Sequence, residues 1–163
     1  MIEGGFFIQK IRIGRALFCA SAGGHLTELL QLSPLIEEFN GVVLTEDTPP
    51  AHSLYFPTVF VPYSSRQEGV IYLFKYAWVS ILSFYYFFKF NPKVIISTGV
   101  HSTLPIAFLG WLFRRHVIYI ETIANVKTPT LSGRLMKRLA SEFYIQWEEL
   151  MDVYPQAKVG RLF

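Results

Sequence analysis

A pair of glycines followed by a histidine stands near the start of the chain, where an apolar run gives way to helical spacing. The residues are Gly23, Gly24 and His25, in the stretch "CASAGGHLTELLQL". Adjacent glycines let the backbone approach a phosphate closely, and a helix that starts there directs free N–H groups at the same point. Histidine takes or gives a proton near neutral pH. This loop is therefore a candidate phosphate cradle or active-site loop, and the competing interpretation is a tight turn into a helix.

A second loop of similar composition follows a later apolar run, in "STGVHSTLP". Gly99, His101, Ser102 and Thr103 precede an apolar helical segment and could bind substrate or phosphate. The competing interpretation is that Ser102 or Thr103 caps that helix, because hydroxyl side chains are favoured at helix N-termini.

A third loop, "ETIANV", places Glu121 directly after another apolar run and Asn125 shortly behind it. A carboxylate at the end of a strand could act as a general base or accept hydrogen bonds from sugar hydroxyls, and a purely structural role is equally compatible. Glu46 and Asp47 lie about where a ribose-binding acid follows a dinucleotide loop, but the G-x-G-x-x-G spacing of such a loop is missing. The sequence has no metal-ligand spacing.

The three loops are predicted to lie together because of the elements around them. Short unbroken apolar runs alternate with helical patterns, which indicates a parallel sheet covered on both faces, a Rossmann-like α/β fold in one domain over 1–163. Ligands bind such sheets at the carboxyl ends of the strands. Pro34 is expected to break the first helix, and the N-terminal stretch is interpreted as a short lead-in to the first strand. The predicted strands are 15–21, 41–46, 58–63, 91–99, 116–122 and 142–147; the predicted helices are 26–39, 70–90, 104–113 and 131–140.

Composition narrows the class of function. The 163 residues are 52% hydrophobic and 17% aromatic, so apolar surface is expected to remain for a partner or a membrane. The net charge of +3 and aromatic residues grouped in apolar blocks argue against a nucleic-acid partner. The single cysteine, Cys19, excludes an intramolecular disulfide and fits the cytosol.

The segment 70–90 is apolar all round, which in a helix indicates contact with protein or lipid. Its longest uncharged piece covers roughly 20 Å, short of a hydrocarbon core of about 30 Å. We favour a helix that packs on the sheet and dips into one leaflet over a plain core helix or a true span. The residues expected at the membrane are Tyr76, Trp78, Phe84, Phe87, Phe88 and Lys89.

Taken in order, the stretches "SAGGHLTELLQL", "STGVHSTLP", "YIETIANVKTPTLSGRLMKRLASEFYIQWEEL" and "YPQAKVGRLF" resemble the PssD-like family of bacterial polysaccharide-synthesis proteins. The eukaryotic relative of that family is the membrane-anchoring subunit of the split N-acetylglucosaminyltransferase of the dolichol pathway. A more distant likeness is to the N-terminal half of the enzyme that forms lipid II. The resemblance covers 16–163.

This resemblance implies the N-terminal half of a split GT-B glycosyltransferase. A small partner chain would supply the C-terminal half and most of the UDP-sugar binding, with no cofactor besides that donor substrate. The acceptor would be an undecaprenyl-diphosphate-linked saccharide at the cytoplasmic face of the cell membrane, in exopolysaccharide or capsule synthesis. The alternative is a non-catalytic scaffold or enhancer of the partner.

The resemblance also implies roles for the loop residues. Gly23, Gly24 and His25 would line the cleft near a diphosphate, and the second loop would lie beside them. His25 is the first candidate for the base that deprotonates the acceptor, and Glu121 is the second. The C-terminal "YPQAKVGRLF" resembles the tail that docks onto the partner subunit.

Overall fold

The computed structural model describes residues 16–99 and 101–162, so the predicted N-terminal lead-in lies outside the described residues. Seven strands form one parallel sheet in the order β3-β2-β1-β4-β5-β6-β7. The strands are β1 (Ala16–Cys19), β2 (Val42–Glu46), β3 (Thr58–Val61), β4 (Val94–Ser97), β5 (His116–Ile120), β6 (Glu142–Ile145) and β7 (Lys158–Val159). The predicted α/β class and parallel sheet are confirmed.

Five α-helices lie between these strands in the part of the chain that the structure describes. They are α1 (Gly24–Leu30), α2 (Ser33–Glu38), α3 (Val70–Phe90), α4 (Leu104–Leu112) and α5 (Leu131–Leu139). Pro34 lies in the first turn of α2, where a missing N–H is tolerated, and the helix predicted over 26–39 is broken there as expected.

The inner strand β1 contributes to two hydrophobic cores, because successive side chains of a strand point to opposite faces of the sheet. Phe18 packs with the residues of α1 and α2, whereas Leu17 and Cys19 pack with those of α3 and α4. Helix α5 joins α4 on the second face. The strand order reverses between β1 and β4, and open α/β sheets bind ligands outside the carboxyl ends of strands at such a point.

Helix α3 has the bounds that the sequence predicts, but only a narrow stripe of it is buried. Val79, Ser83 and Phe87 recur at intervals of four and face the sheet. Phe87 is only 1 % exposed, so its assignment to the membrane surface is wrong: it is a core residue of the α3–sheet contact. Trp78 and Phe84, which lie outside this stripe, are more than half exposed.

Strand β7 is absent from the sequence prediction, since its two exposed residues form no apolar run. Glu142 of β6 ties it to the sheet: its carboxylate accepts hydrogen bonds from Lys158 Nζ at 2.7 Å and Tyr144 Oη at 2.7 Å. The other oxygen lies 2.9 Å from His116 Nε2 of β5. Partial burial raises the pKa of Glu142, but these three hydrogen bonds outweigh it and lower the pKa to about 2.

Candidate functional site

A cleft of about 360 Å³ lies at the carboxyl edge of the sheet, closed on one side by the start of α5. Its size falls in the range of about 300–1,000 Å³ usual for small-molecule sites. The cleft is lined by Ser21, Ala22, Glu46, Tyr63, Ser64, Ser65, His101, Thr130, Leu131 and Ser132.

The glycine loop after β1 reaches this cleft through Ser21 and Ala22. Gly23 has a φ of +80°, a conformation that glycine adopts without strain. A Cβ on Gly24 would meet nothing within 4 Å, so its missing side chain leaves open space beside the loop. The Ala22 N–H donates to Glu46 Oε2 at 2.9 Å, which fixes the loop against the end of β2.

His25, at the start of α1, is held in one orientation by the loop after β4. Its Nδ1 lies 2.9 Å from the Thr98 carbonyl oxygen, and since that oxygen can only accept, Nδ1 carries the proton. Thr98 Oγ1 donates in return to the His25 carbonyl at 2.8 Å. A Cβ on Gly99 would stand 2.6 Å from the imidazole ring, so glycine is what lets the two loops touch. The Nε2 atom of neutral His25 is then an unprotonated acceptor, and no described residue bonds to it.

Two hydroxyl residues of the second loop point inward. Thr103 and Ser102 are buried, and the Thr103 hydroxyl donates to the Gly99 carbonyl and lies 2.9 Å from Ser97 Oγ. Thr103 occupies the N-cap position of α4 without a side-chain capping bond. The prediction that Thr103 caps the helix through its side chain is therefore wrong, whereas substrate binding by Ser102 and Thr103 stays a prediction.

His101, by contrast, lines the cleft. Its Nε2 donates to the Ser64 carbonyl at 3.0 Å, and its ring lies 5.7 Å from the ring of Tyr72 and 6.4 Å from that of Tyr76. Because Tyr72 and Tyr76 belong to α3, this histidine joins the cleft to the long apolar helix.

Glu121 is the centre of a buried hydrogen-bond network and does not reach the cleft. Its carboxylate is 0 % exposed and accepts from the Thr122 N–H and from the Thr130, Tyr119 and Tyr154 hydroxyls at 3.2–3.4 Å. Burial raises its pKa, opposed by these hydrogen bonds and one from Asn125. The prediction of Glu121 as a candidate base is corrected here: both carboxylate oxygens already accept hydrogen bonds from buried groups of the chain, so neither is available to an acceptor hydroxyl.

Asn125 also belongs with this network: its side chain lowers the pKa of Glu121, and it is not among the residues that line the cleft. A further carboxylate, Glu28 of α1, lies off the apolar face in the sequence but is buried here. Its Oε1 accepts from Thr122 Oγ1 at 2.6 Å and from the Ile123 N–H at 3.2 Å. Only the fold of the loop over α1 could have revealed that role.

No group of three His, Cys, Asp or Glu side chains that could hold a metal ion occurs within residues 16–99 and 101–162.

An exposed apolar surface adjoins the cleft; we call it the three-helix surface. An apolar groove of about 490 Å³ between α3, α4 and α5 runs along it, lined among others by Tyr76, Phe84, Phe108 and Leu135, with Arg138 at the side. Helix α3 is long and apolar enough to cross a membrane by length and composition, with a mean hydropathy of 1.3. The exposed apolar side chains of the surface are Val70, Ile71, Leu73, Phe74, Trp78, Ile81, Phe84, Tyr85, Phe88, Phe108, Trp111, Leu112, Phe113, Leu131 and Leu135.

A family model described as "Oligosaccharide biosynthesis protein Alg14 like" matches residues 64–162, which include the second and third loops and the tail. The chain belongs to the Alg14-like family. A mouse UDP-N-acetylglucosamine transferase subunit ALG14 is 28% identical over 91% of this chain and 82% of its own length. The subunit of the same name from Candida albicans is 30% identical over 62% of this chain, and the match spans 46% of that protein.

Solved structures agree on the fold. Acinetobacter baumannii MurG superposes with a TM-score of 0.63 at 17% identity, over 81% of this chain and 41% of that one. The UDP-GlcNAc 2-epimerase of Methanocaldococcus jannaschii also superposes with a TM-score of 0.63. Its sequence is 10% identical, and the match covers 90% of this chain and 45% of that one. The Alg14-like chain thus has the Rossmann-like fold predicted for the N-terminal half of a GT-B glycosyltransferase.

Proposed function

We propose that this chain is the membrane-docked, acceptor-side subunit of a two-chain glycosyltransferase. A small partner chain supplies the C-terminal half and binds most of a UDP-sugar donor. The acceptor is an undecaprenyl-diphosphate-linked saccharide, and the pathway is the PssD-like one of exopolysaccharide or capsule synthesis. The observation that carries the proposal is the joining of a polar cleft to the three-helix surface through His101 and Tyr76.

The three-helix surface is suited to lie on the cytoplasmic face of the membrane. Its aromatic residues are typical of the interfacial layer, and Lys89, Arg114, Arg134 and Lys137 are exposed nearby to meet anionic headgroups. Because α3 buries its stripe of Val79, Ser83 and Phe87 on the sheet, the helix lies along the domain and enters one leaflet sideways.

His25 is the residue we assign to proton transfer. With Nδ1 donating to Thr98, Nε2 can accept the proton of the attacking acceptor hydroxyl. The hydroxyl oxygen forms the new glycosidic bond as the bond from the sugar to UDP breaks, which inverts the anomeric centre. The leaving UDP takes the electron pair and is stabilised by the partner. Gly23 and Gly24 allow the diphosphate of a substrate to approach the loop, while Gly99 keeps the imidazole in place.

The second candidate function is a non-catalytic scaffold or enhancer. The burial of Glu121 supports this candidate, because it removes one of the two residues considered as the catalytic base. Under this alternative the chain would hold acceptor and partner at the membrane, and the partner alone would carry out the transfer.

The test is co-expression with the small partner, followed by transfer assays in membrane fractions over several UDP-sugars, UDP-N-acetylglucosamine among them. We expect transfer to lipid-linked acceptor only when both chains are present. Transfer by the partner alone at the rate of the pair would contradict a shared active site, and finding this chain in the soluble fraction would contradict membrane docking.

A further inference from the structure

Glu46 at the end of β2 lines the cleft and has no part in the proposed chemistry. Its carboxylate is 2 % exposed, and Oε2 accepts the Ala22 N–H at 2.9 Å. The second oxygen, Oε1, is buried and has no hydrogen-bond partner among residues 16–99 and 101–162. Buried polar atoms without partners are rare because they lose the hydrogen bonds of water without replacement. Oε1 is therefore an acceptor for which the protein itself supplies no donor.

The start of α5 lines the same cleft and offers donors. Helix α5 begins there, and the Thr130 hydroxyl that caps it accepts the Gly133 N–H at 2.8 Å. Leu131 and Ser132 also line the cleft, and no described residue accepts a hydrogen bond from their backbone N–H groups. Free N–H groups at the positive end of a nine-residue helix favour an anion.

One cleft is thus lined both by the residue with the unpartnered carboxylate oxygen and by anion-favouring amides. A ligand that satisfies both carries a hydroxyl and a phosphate in the same molecule, as a sugar joined to a diphosphate does. A metal ion fits less well, since no cluster of three metal-ligating side chains exists in the described part of the chain.

We propose that Glu46 Oε1 accepts a hydrogen bond from a sugar hydroxyl of a glycosyl diphosphate bound in this cleft, with the diphosphate at the start of α5. This inference rests on the proposed function, since both a UDP-sugar and a lipid-linked saccharide have this chemistry. Glu46 is then a residue that selects the sugar and does not move a proton.

The variant Glu46→Gln tests the hydrogen bond with little change of shape. The glutamine carbonyl oxygen can still accept the Ala22 N–H, while its NH₂ group would face the sugar hydroxyl in place of Oε1. Asp47→Asn is the matched control: it removes the same charge one residue further on, where Asp47 pairs with exposed His52 at 2.6 Å and does not line the cleft.

Binding is measured by calorimetry on the complex of the full chain and its partner in nanodiscs. The probes are UDP-N-acetylglucosamine, farnesyl diphosphate linked to N-acetylglucosamine, glucose or galactose, and farnesyl diphosphate without sugar. We expect Glu46→Gln to weaken at least one glycosylated probe by about ten- to hundredfold, the effect of losing a charge-assisted hydrogen bond. The affinity of the Glu46→Gln complex for farnesyl diphosphate without sugar should not change. The Asp47→Asn complex should bind every probe as the unaltered complex does. The weakened probe identifies whether the site takes donor or acceptor.

Equal weakening of glycosylated and plain diphosphates would overturn the inference, because it would reveal a general change of the cleft. Unchanged binding of every probe by a folded Glu46→Gln complex would overturn it as well. If the glutamine variant does not fold, Glu46→Asp, which keeps the charge but shortens its reach, must show the same selective loss. Absence of transfer despite selective binding would contradict the proposed function alone.

Discussion

At the scale of single residues, the hydrogen bond from His25 to the Thr98 carbonyl decides which nitrogen of the imidazole is available. The variant His25→Asn separates proton transfer from positioning, since the asparagine amide can donate to Thr98 but cannot act as a base. We expect kcat to fall by about 10²- to 10⁴-fold with little change in KM, the usual effect of removing a general base. The measurement is steady-state transfer with the partner present.

His52→Asn is the control for this experiment, because His52 is exposed before β3, where it pairs with Asp47 and stacks on Phe60, and it does not line the cleft. It should leave kcat unchanged. A kcat of His25→Asn near that of the unaltered chain would limit His25 to holding the two loops together.

Glu121 should make stability depend on pH. Its pKa is raised above the ordinary value of 4.5 because the carboxylate is buried, so the folded chain holds this proton more tightly than the unfolded chain. The stability that this group adds is full below about pH 4.5 and is lost as the pH rises through the folded pKa. The variant Glu121→Gln has no ionisable group at this position, so its stability lacks this dependence on pH. The free energy of unfolding of the unaltered chain, relative to the variant, should thus be larger at pH 4.5 than at neutral pH.

Urea denaturation of both proteins across this range measures the difference. Parallel pH profiles would show that the buried network leaves the proton affinity of Glu121 the same in the folded and unfolded chains.

Of the three loops that the sequence predicts as a site, the first lines the cleft through Ser21 and Ala22 and the second through His101, whereas the third does not line it. His25 and Gly99 are far apart in the chain, so their contact exists only in the fold. Ser102 and Thr103 have the composition of a phosphate loop, yet both side chains are buried within it. Spacing predicts which residues share a loop, whereas burial depends on elements distant in sequence.

At the scale of elements, the start of α5 is packed so closely that its glycine has no room for a methyl group. A Cβ on Gly133 would lie 2.0 Å from Glu121 Oε2 and 2.5 Å from Tyr154 Oη. Glycine to alanine normally stabilises a helix by up to about 1 kcal/mol. Here Gly133→Ala should destabilise the chain by about 1–3 kcal/mol, because it overpacks a buried network.

The control is Gly160→Ala, whose Cβ would meet only Tyr144 at an ordinary 3.7 Å. Urea or thermal unfolding of the two variants gives the comparison. Increased stability in Gly133→Ala would contradict the packing described for α5.

The sequence predicts best those elements whose residues form an unbroken apolar run. The sequence predicts helix α3 with its observed bounds, since an apolar run extends from 70 to 90. Gly69 before this run and Asn91 after it both have a positive φ, which limits the helix at its two ends. Strand β7 could not be predicted, because two exposed residues gain their strand conformation only by pairing with β6. Glu28 lies off the leucine face of its helix but is buried, because the loop after β5 covers it.

At the scale of the whole molecule, the three-helix surface should determine attachment to lipid. Replacing Trp78 and Phe84, which are 53 % and 55 % exposed, by glutamine removes two aromatic rings from that surface. Removing apolar surface from water contributes about 25 cal/mol per Å² to binding. Because the variant lacks two rings that would be buried in lipid, we expect its affinity for vesicles to fall by about tenfold or more. Flotation of the purified chain with anionic vesicles measures it.

Tyr55→Ser is the matched control, since this tyrosine is 91 % exposed in the segment before β3 and lies outside the three-helix surface. Equal losses in the control and in the Trp78/Phe84 variant would show that the surface has no special role in attachment.

The three-helix surface covers one face of the sheet, whereas the cleft opens at the carboxyl edge of the same sheet. A domain resting on that face would therefore open its cleft sideways, along the plane of the bilayer at headgroup height. Enzyme and lipid-linked acceptor would then meet by lateral diffusion in two dimensions. Turnover would follow the number of acceptors per unit area of membrane, and diluting the acceptor with inert lipid would slow the reaction even at a constant bulk concentration.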